Sequence, residues 1–254
     1  MNSYLSSKQV QESSVLILCG ADQGTGFFIK EDLVLTARHV VADCLDDDAE
    51  IIIEKGVYSR DSIVAENLQL DVCLIKVKKL SKGFLPISNS SFSYNQLCST
   101  FGFPYAGSGH GSHLEARINQ IGVEGQWDFS FTAKEVNEDV SYDGLSGGAV
   151  ISRGQAIGIV LRQQSSSILA ISIKKISGWL NENGVEPENI QTRNEIPGQL
   201  KNQVDASTPN YAVMETLTDC LEEHHGGWFL CYGSPGSGKR HSLPHMNPKM
   251  IISR

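Results

Sequence analysis

The sequence predicts an all-β domain of short strands, closed by a short C-terminal helix and followed by a linker and an incomplete helix–strand–loop fragment. Three observations point there. Short apolar runs recur from residue 14 to 173 at spacings that suit a sandwich or barrel. The chain holds 24 glycines, many beside those runs, where they supply turns. Strands and long helical periods do not alternate, as they would in βαβ units.

Val15–Cys19, Gly26–Ile29 and Leu33–Thr36 read as strands with turns between them. The acidic stretch Asp43–Glu50 reads as a solvated loop. Glu50–Glu54 and Val72–Val77 are rich in Ile and Val, which favour strands. Leu97–Phe101, His113–Ile118, Trp127–Ala133, Ala149–Ser152, Ala156–Leu161 and Ile168–Ile173 complete the set. Over Lys174–Leu180 the period changes: Ile176, Trp179 and Leu180 fall on one face of a helix. From Asn181 to Asn210 large apolar residues are scarce and prolines recur, which marks a linker. Met214, Leu217 and Leu221 then mark a short amphipathic helix, and Trp228–Tyr232 an apolar run. The expected domains are residues 1–182, a linker at 183–210 and a C-terminal fragment at 211–254.

Composition excludes several function classes. At 254 residues and 40% hydrophobic content, the chain can bury a sizeable core. A net charge of -8 and a pI near 5.4 argue against nucleic acid as a partner. No apolar run approaches the roughly 18 residues that span a bilayer, so no membrane is expected. The N-terminal residues are polar and lack a signal-peptide core. The six cysteines show no CxxC spacing and several lie in apolar runs, which suits free thiols in a reducing cytoplasm. His110 and His113 have a metal-like spacing but no Cys or carboxylate beside them, and Asp46–Asp48 lacks the periodicity of a calcium loop, so no metal is expected.

Three segments carry the parts of a nucleophilic site. A serine hydroxyl needs an imidazole to take its proton, a carboxylate to orient that imidazole, and N–H donors for the developing oxyanion. His39 ends the apolar segment LVLTARH; Asp71 opens the apolar segment DVCLIKV; Ser146 stands in DGLSGGAVI, between glycines and before a buried run. Gly144 can adopt the φ that turns its N–H, with that of Ser146, toward one point.

In the order His, Asp, Ser, these segments resemble the trypsin-like serine peptidases. GTGFFI at 24–29, FGFP at 101–104 and GQAIGIV at 154–160 strengthen the likeness, which runs from residue 14 to 182 and is closest to the compact bacterial Deg-type branch. The resemblance implies two packed six-stranded antiparallel β-barrels with the site in the cleft between them. It implies Ser146 as nucleophile, His39 as general base and acid, Asp71 as the orienting carboxylate, and Gly144 and Ser146 as the oxyanion hole. The expected activity is serine endopeptidase, with a polypeptide as substrate and no cofactor. The substrate pocket would take its floor from Val140, with Asp139 beside it, and its wall from Leu161, Arg162 and Gln163. Val140 pointing inward would suit small or apolar side chains; Asp139 pointing inward would suit basic ones. Leu145 stands where the digestive branch has an aspartate that pairs with a new N-terminus, and no cysteine follows His39.

The segment WFLCYGSPGSGK at 228–239 resembles the start of a STAND/AAA-type P-loop NTPase, with Gly233, Gly238 and Lys239 cradling the phosphates of ATP. Arg240 replaces the Ser or Thr that would hold Mg²⁺, and the sequence ends soon after, so a truncated NTPase start is expected. By the same likeness, the whole would be the protease effector of a nucleotide-regulated bacterial defence or signalling protein. Two other classes remain as alternatives: a protease-fold module that holds peptides without cutting, and a nucleotide-binding signalling fragment.

Overall fold

The computed structural model describes residues 7–78, 83–105, 110–122, 125–136 and 141–188, together with 230–231 and 251–252. The chain divides into two compact units, residues 1–191 and 192–254.

The first unit opens with helix α1 (Ser7–Ser13), which the polar N-terminal sequence did not announce. Strands β1 (Ser14–Cys19), β2 (Asp22–Lys30) and β3 (Leu33–Ala37) follow as antiparallel neighbours. A 3-10 turn at Arg38–Val41 leads into α2 (Ala42–Asp47). The expected acidic loop is thus half helical, because Cys44 and Leu45 are buried by it. Asp43 lies in its first turn, where a carboxylate suits the helix dipole, and Asp48 ends it in the left-handed region. Strands β4 (Ile51–Ile53), β5 (Gly56–Tyr58), β6 (Ile63–Asn67) and β7 (Val72–Lys76) complete a seven-stranded sheet in the order β5-β4-β1-β2-β3-β7-β6. The short β5 and the β6 next to it in sequence are the two edges of this sheet, so it is a half-barrel rather than the expected six-stranded barrel.

The remaining strands do close. They are β8 (Leu97–Gly102), β9 (Ser112–Ile121), β10 (Phe129–Ala133), β11 (Ala149–Ser152), β12 (Gln155–Gln164) and β13 (Ser167–Ser172), in the order β10-β13-β12-β11-β8-β9. The apolar run of β12 is buried on both faces. Ile157 and Val160 face the interior of this barrel, while Ala156, Ile159 and Leu161 join the core shared with the first sheet. Helix α3 (Ile173–Glu182) buries Ile173, Ile176 and Leu180. Its N-cap Ser172 accepts from the Lys175 N–H at 3.1 Å, and Asp128 holds both the N–H and the hydroxyl of Ser172. Trp179, expected on the same face, is half-buried against the core. In the second unit, β14 (Leu230–Cys231) pairs in parallel with β15 (Ile251–Ile252). The expected helix at Met214–Leu221 lies outside the described residues. Among the described residues, no helix is long and apolar enough to cross a membrane.

Cys19, Cys44, Cys73 and Cys98 are free and buried. Burial pushes their thiols up, Cys19 to about 11 and Cys98 to about 12, with Cys44 and Cys73 also raised. Near pH 8 they therefore hold almost no thiolate. Native protein titrated with a disulfide thiol reagent at pH 8 is expected to release no more than two of its six thiols rapidly; denaturant should release the rest. Rapid reaction of more than two would contradict this burial.

The hydroxyl of Thr100, on β8, is buried without a hydrogen-bond partner. Removing a buried unsatisfied polar atom at constant shape is stabilising. Thr100→Val is expected to raise stability by about 1 kcal/mol, read as a higher midpoint in urea.

Candidate active site

The pairing of β3 with β7 sets the first half of the site. Their register places Ala37 opposite Val72, so the chain leaving β3 meets the chain entering β7. Asp71 grips that crossing at three points. Its carbonyl accepts from the Arg38 N–H at 3.1 Å, and Oδ1 accepts from the His39 N–H at 2.9 Å. Oδ2 lies 2.7 Å from Nδ1 of the His39 ring. A carboxylate only accepts, so Nδ1 is the donor, which in the neutral ring leaves the lone pair on Nε2. Asp71 holds φ at +54°, a left-handed conformation that aspartate tolerates and that concentrates at functional sites. Its residue is 8% exposed, whereas 46% of the His39 side chain is open. Arg38 turns away to Glu66 at 2.6 Å and Asp46 at 3.6 Å, which pins the turn carrying His39.

The Ser146 loop packs against the same corner. Gly147 has φ +86°, and a Cβ there would lie 2.0 Å from the Thr25 carbonyl oxygen and 3.0 Å from the Ala37 nitrogen. Only glycine allows that approach, which seats the loop two residues before His39 in the chain. The Ser146 hydroxyl donates to the Leu161 carbonyl at 2.7 Å, and among the described residues no hydrogen bond joins it to the His39 ring.

Backbone donors of this loop are almost all engaged. The N–H of Tyr142 donates to the Gln163 side chain and that of Asp143 to the Ser141 hydroxyl. The N–H groups of Leu145, Gly147 and Gly148 reach the carbonyls of Tyr142, Val160 and Leu145. Within Tyr142–Gly148, the amides of Gly144 and Ser146 have no acceptor among the described residues. Gly144 sits at φ +97°, where a Cβ would lie 2.4 Å from the Phe103 carbonyl oxygen.

A cavity of about 10 Å³ adjoins Ser146, lined by Tyr142, Leu145, Val160, Arg162, Gln163 and Ile168 among others. Such a space holds a single water at most. Arg162 and Gln163 line this cavity, while the Leu161 side chain is buried in the core and its backbone carbonyl accepts the Ser146 hydroxyl. Gln163 bridges the Tyr142 N–H at 2.8 Å and the Ser165 carbonyl at 2.9 Å. Val140 and Asp139 lie outside the described residues, as do Gly233, Gly238 and Lys239. His110 and His113 are exposed, and among the described residues no group of three potential ligands could hold a metal. Sequence reasoning missed Thr25 and the Phe103–Tyr105 segment, which hold the Ser146 loop from behind; the polar Thr25 inside the apolar GTGFFI string was the available signal.

A family model described as a trypsin-like peptidase domain matches residues 24–159. No curated protein matches the chain. Among solved structures, the active form of the Rv3671c protease from M. tuberculosis is similar at a TM-score of 0.57 and 22% identity, covering 73% of this chain and 87% of that one. The serine endoprotease from Yersinia pestis is similar at 0.54 and 17%, covering 71% and 66%. Deg5 is similar at 0.52 and 19%, covering 68% and 92%.

Proposed function

Because the chain belongs to the trypsin-like peptidase domain family and is a serine-type peptidase, we propose that it cleaves polypeptides through His39, Asp71 and Ser146. In this reading Ser146 Oγ leaves the Leu161 carbonyl by rotating about its χ1 bond and meets Nε2 of His39. His39 takes the hydroxyl proton as Oγ attacks the scissile carbonyl, while Asp71 stabilises the imidazolium. The N–H groups of Gly144 and Ser146 receive the oxyanion. His39 then protonates the leaving amine, and water, deprotonated by the same ring, frees Ser146. The observation that carries this reading is the pair of unengaged amides at Gly144 and Ser146, in a loop where every neighbouring N–H already donates. The catalytic domain is residues 1–182, working in a reducing cytoplasm that suits its four unpaired buried thiols.

A second reading has a specific observation behind it. The Ser146 hydroxyl bonded to Leu161 suits a cleft that captures peptides without cutting them. Incubation with unfolded, dye-quenched casein decides between them. Fluorescence release by the native chain, lost in Ser146→Ala, is the expected result. Equal casein binding by both proteins with no fragments would support capture instead.

On sequence grounds, the proposal extends to ATP at Gly233, Gly238 and Lys239, and to a nucleotide-regulated defence or signalling role for the peptidase. Protection of Lys239 from acylation by ATP tests its first step; equal acylation with and without ATP would contradict it.

A further inference from the structure

We propose that Thr25 is a positioning residue for the oxyanion hole, acting through the Gly144 peptide; the inference rests on the catalytic reading of Ser146 given above. Glycine at 144 is required by its φ of +97° and by the Phe103 oxygen behind it, but glycine is also the residue that most easily rotates its flanking peptides. An N–H left free to rotate stabilises no oxyanion, because the donor must already point at the developing charge.

The structure holds both peptides flanking Gly144. The Asp143 carbonyl accepts from the Tyr105 N–H at 2.8 Å. Carbonyl and N–H of one trans peptide point in opposite directions, so this bond sets the direction of the Gly144 N–H. The Gly144 carbonyl accepts from the Thr25 hydroxyl at 2.7 Å, which fixes the next peptide. Thr25 also donates its own N–H to the Ser146 carbonyl at 2.8 Å, so one residue holds both ends of the Gly144–Ser146 segment. Its hydroxyl is itself oriented. Thr25 Oγ1 accepts from the Phe103 N–H at 3.0 Å, which directs its single proton toward Gly144. Gln23 Nε2 donates to the Phe103 carbonyl at 2.7 Å and steadies that donor. Thr25 is fully buried, so water cannot replace these bonds. One hydroxyl thereby joins β2, Phe103 and the nucleophile loop, while Tyr105 holds the same loop separately through the Asp143 carbonyl.

Three variants test this in the full chain. Thr25→Val keeps the shape and removes the hydroxyl; it is expected to lower kcat about 100-fold with KM unchanged, the loss typical of one missing oxyanion donor. Thr25→Ser restores the hydroxyl and should recover most of that loss. Binding of a peptide boronate, which mimics the tetrahedral state, should weaken in Thr25→Val in step with kcat, while a product-like peptide binds as before. Gln23→Ala, at a half-buried position, should lower kcat several-fold at constant KM even where Thr25→Val fails to fold. An active native enzyme with full kcat in folded Thr25→Val, or in Gln23→Ala where Thr25→Val does not fold, overturns the inference alone. So does an equal loss in Thr25→Ser and Thr25→Val, which assigns Thr25 to packing. A native chain that cleaves nothing overturns the inference together with the catalytic reading.

Discussion

Ser146→Ala is expected to lower kcat on a peptide substrate by about 10⁶-fold, and His39→Ala by a similar factor. The two losses should not add: the double variant should be no slower than either single one, because each change alone disables the same proton transfer. KM should change little, since neither side chain is asked to bind the ground state. The fold should survive. The Ser146 hydroxyl makes a single hydrogen bond, to the Leu161 carbonyl, and its loop is seated by the carbonyls of residues 143, 144 and 146 rather than by that side chain. Thermal melts of the variants within a few degrees of the native chain would confirm that turnover alone is lost. Multiplying losses in the double variant would mean that Ser146 and His39 act separately.

Asp71→Asn is expected to lower kcat by about 10⁴-fold. Asparagine accepts the φ of +54° as readily as aspartate, so the turn before β7 should hold its shape. The chemistry changes instead. An amide NH₂ facing Nδ1 donates to it and drives the imidazole proton to Nε2, where it blocks acceptance from Ser146. Asp71 also receives the His39 N–H through Oδ1, so the side chain has two donors to satisfy and asparagine has one acceptor oxygen. Steady-state kinetics with a melting curve check this. Native turnover in a folded Asp71→Asn chain would move the orienting role to another acid, such as Asp61 on the exposed Arg60–Ser62 turn.

Much of this arrangement is legible in the residues. Strands with a dense apolar pattern, such as LVLTA, VCLIK and the AIGIVL stretch of β12, announce themselves because each is buried along nearly its whole length. The three segments carrying His39, Asp71 and Ser146 are legible for a related reason: each places one polar group at the end of such a run. What escaped is amphipathic or tertiary. β6 alternates half-buried and exposed positions, with Val64 and Glu66 exposed, and α2 hides two apolar residues among aspartates, so neither shows a dense apolar run. The closure of the second barrel and the opening of the first depend on edge pairing between strands distant in sequence. The hold of Thr25 on Gly144 spans 119 residues, and the bond of Ser146 to Leu161 depends on a rotamer; neither has a local signature.

In the proposed mechanism, Ser146 becomes a nucleophile because His39, oriented by Asp71, deprotonates it. Reaction with a fluorophosphonate probe, read by mass spectrometry of the Ser146 peptide, tests this most directly. The native chain should gain one phosphonyl group on Ser146, with no labelling in Ser146→Ala and at least 100-fold slower labelling in His39→Ala. Labelling of Ser146 at the same rate in native and His39→Ala proteins, or none at all in the native chain, would contradict it.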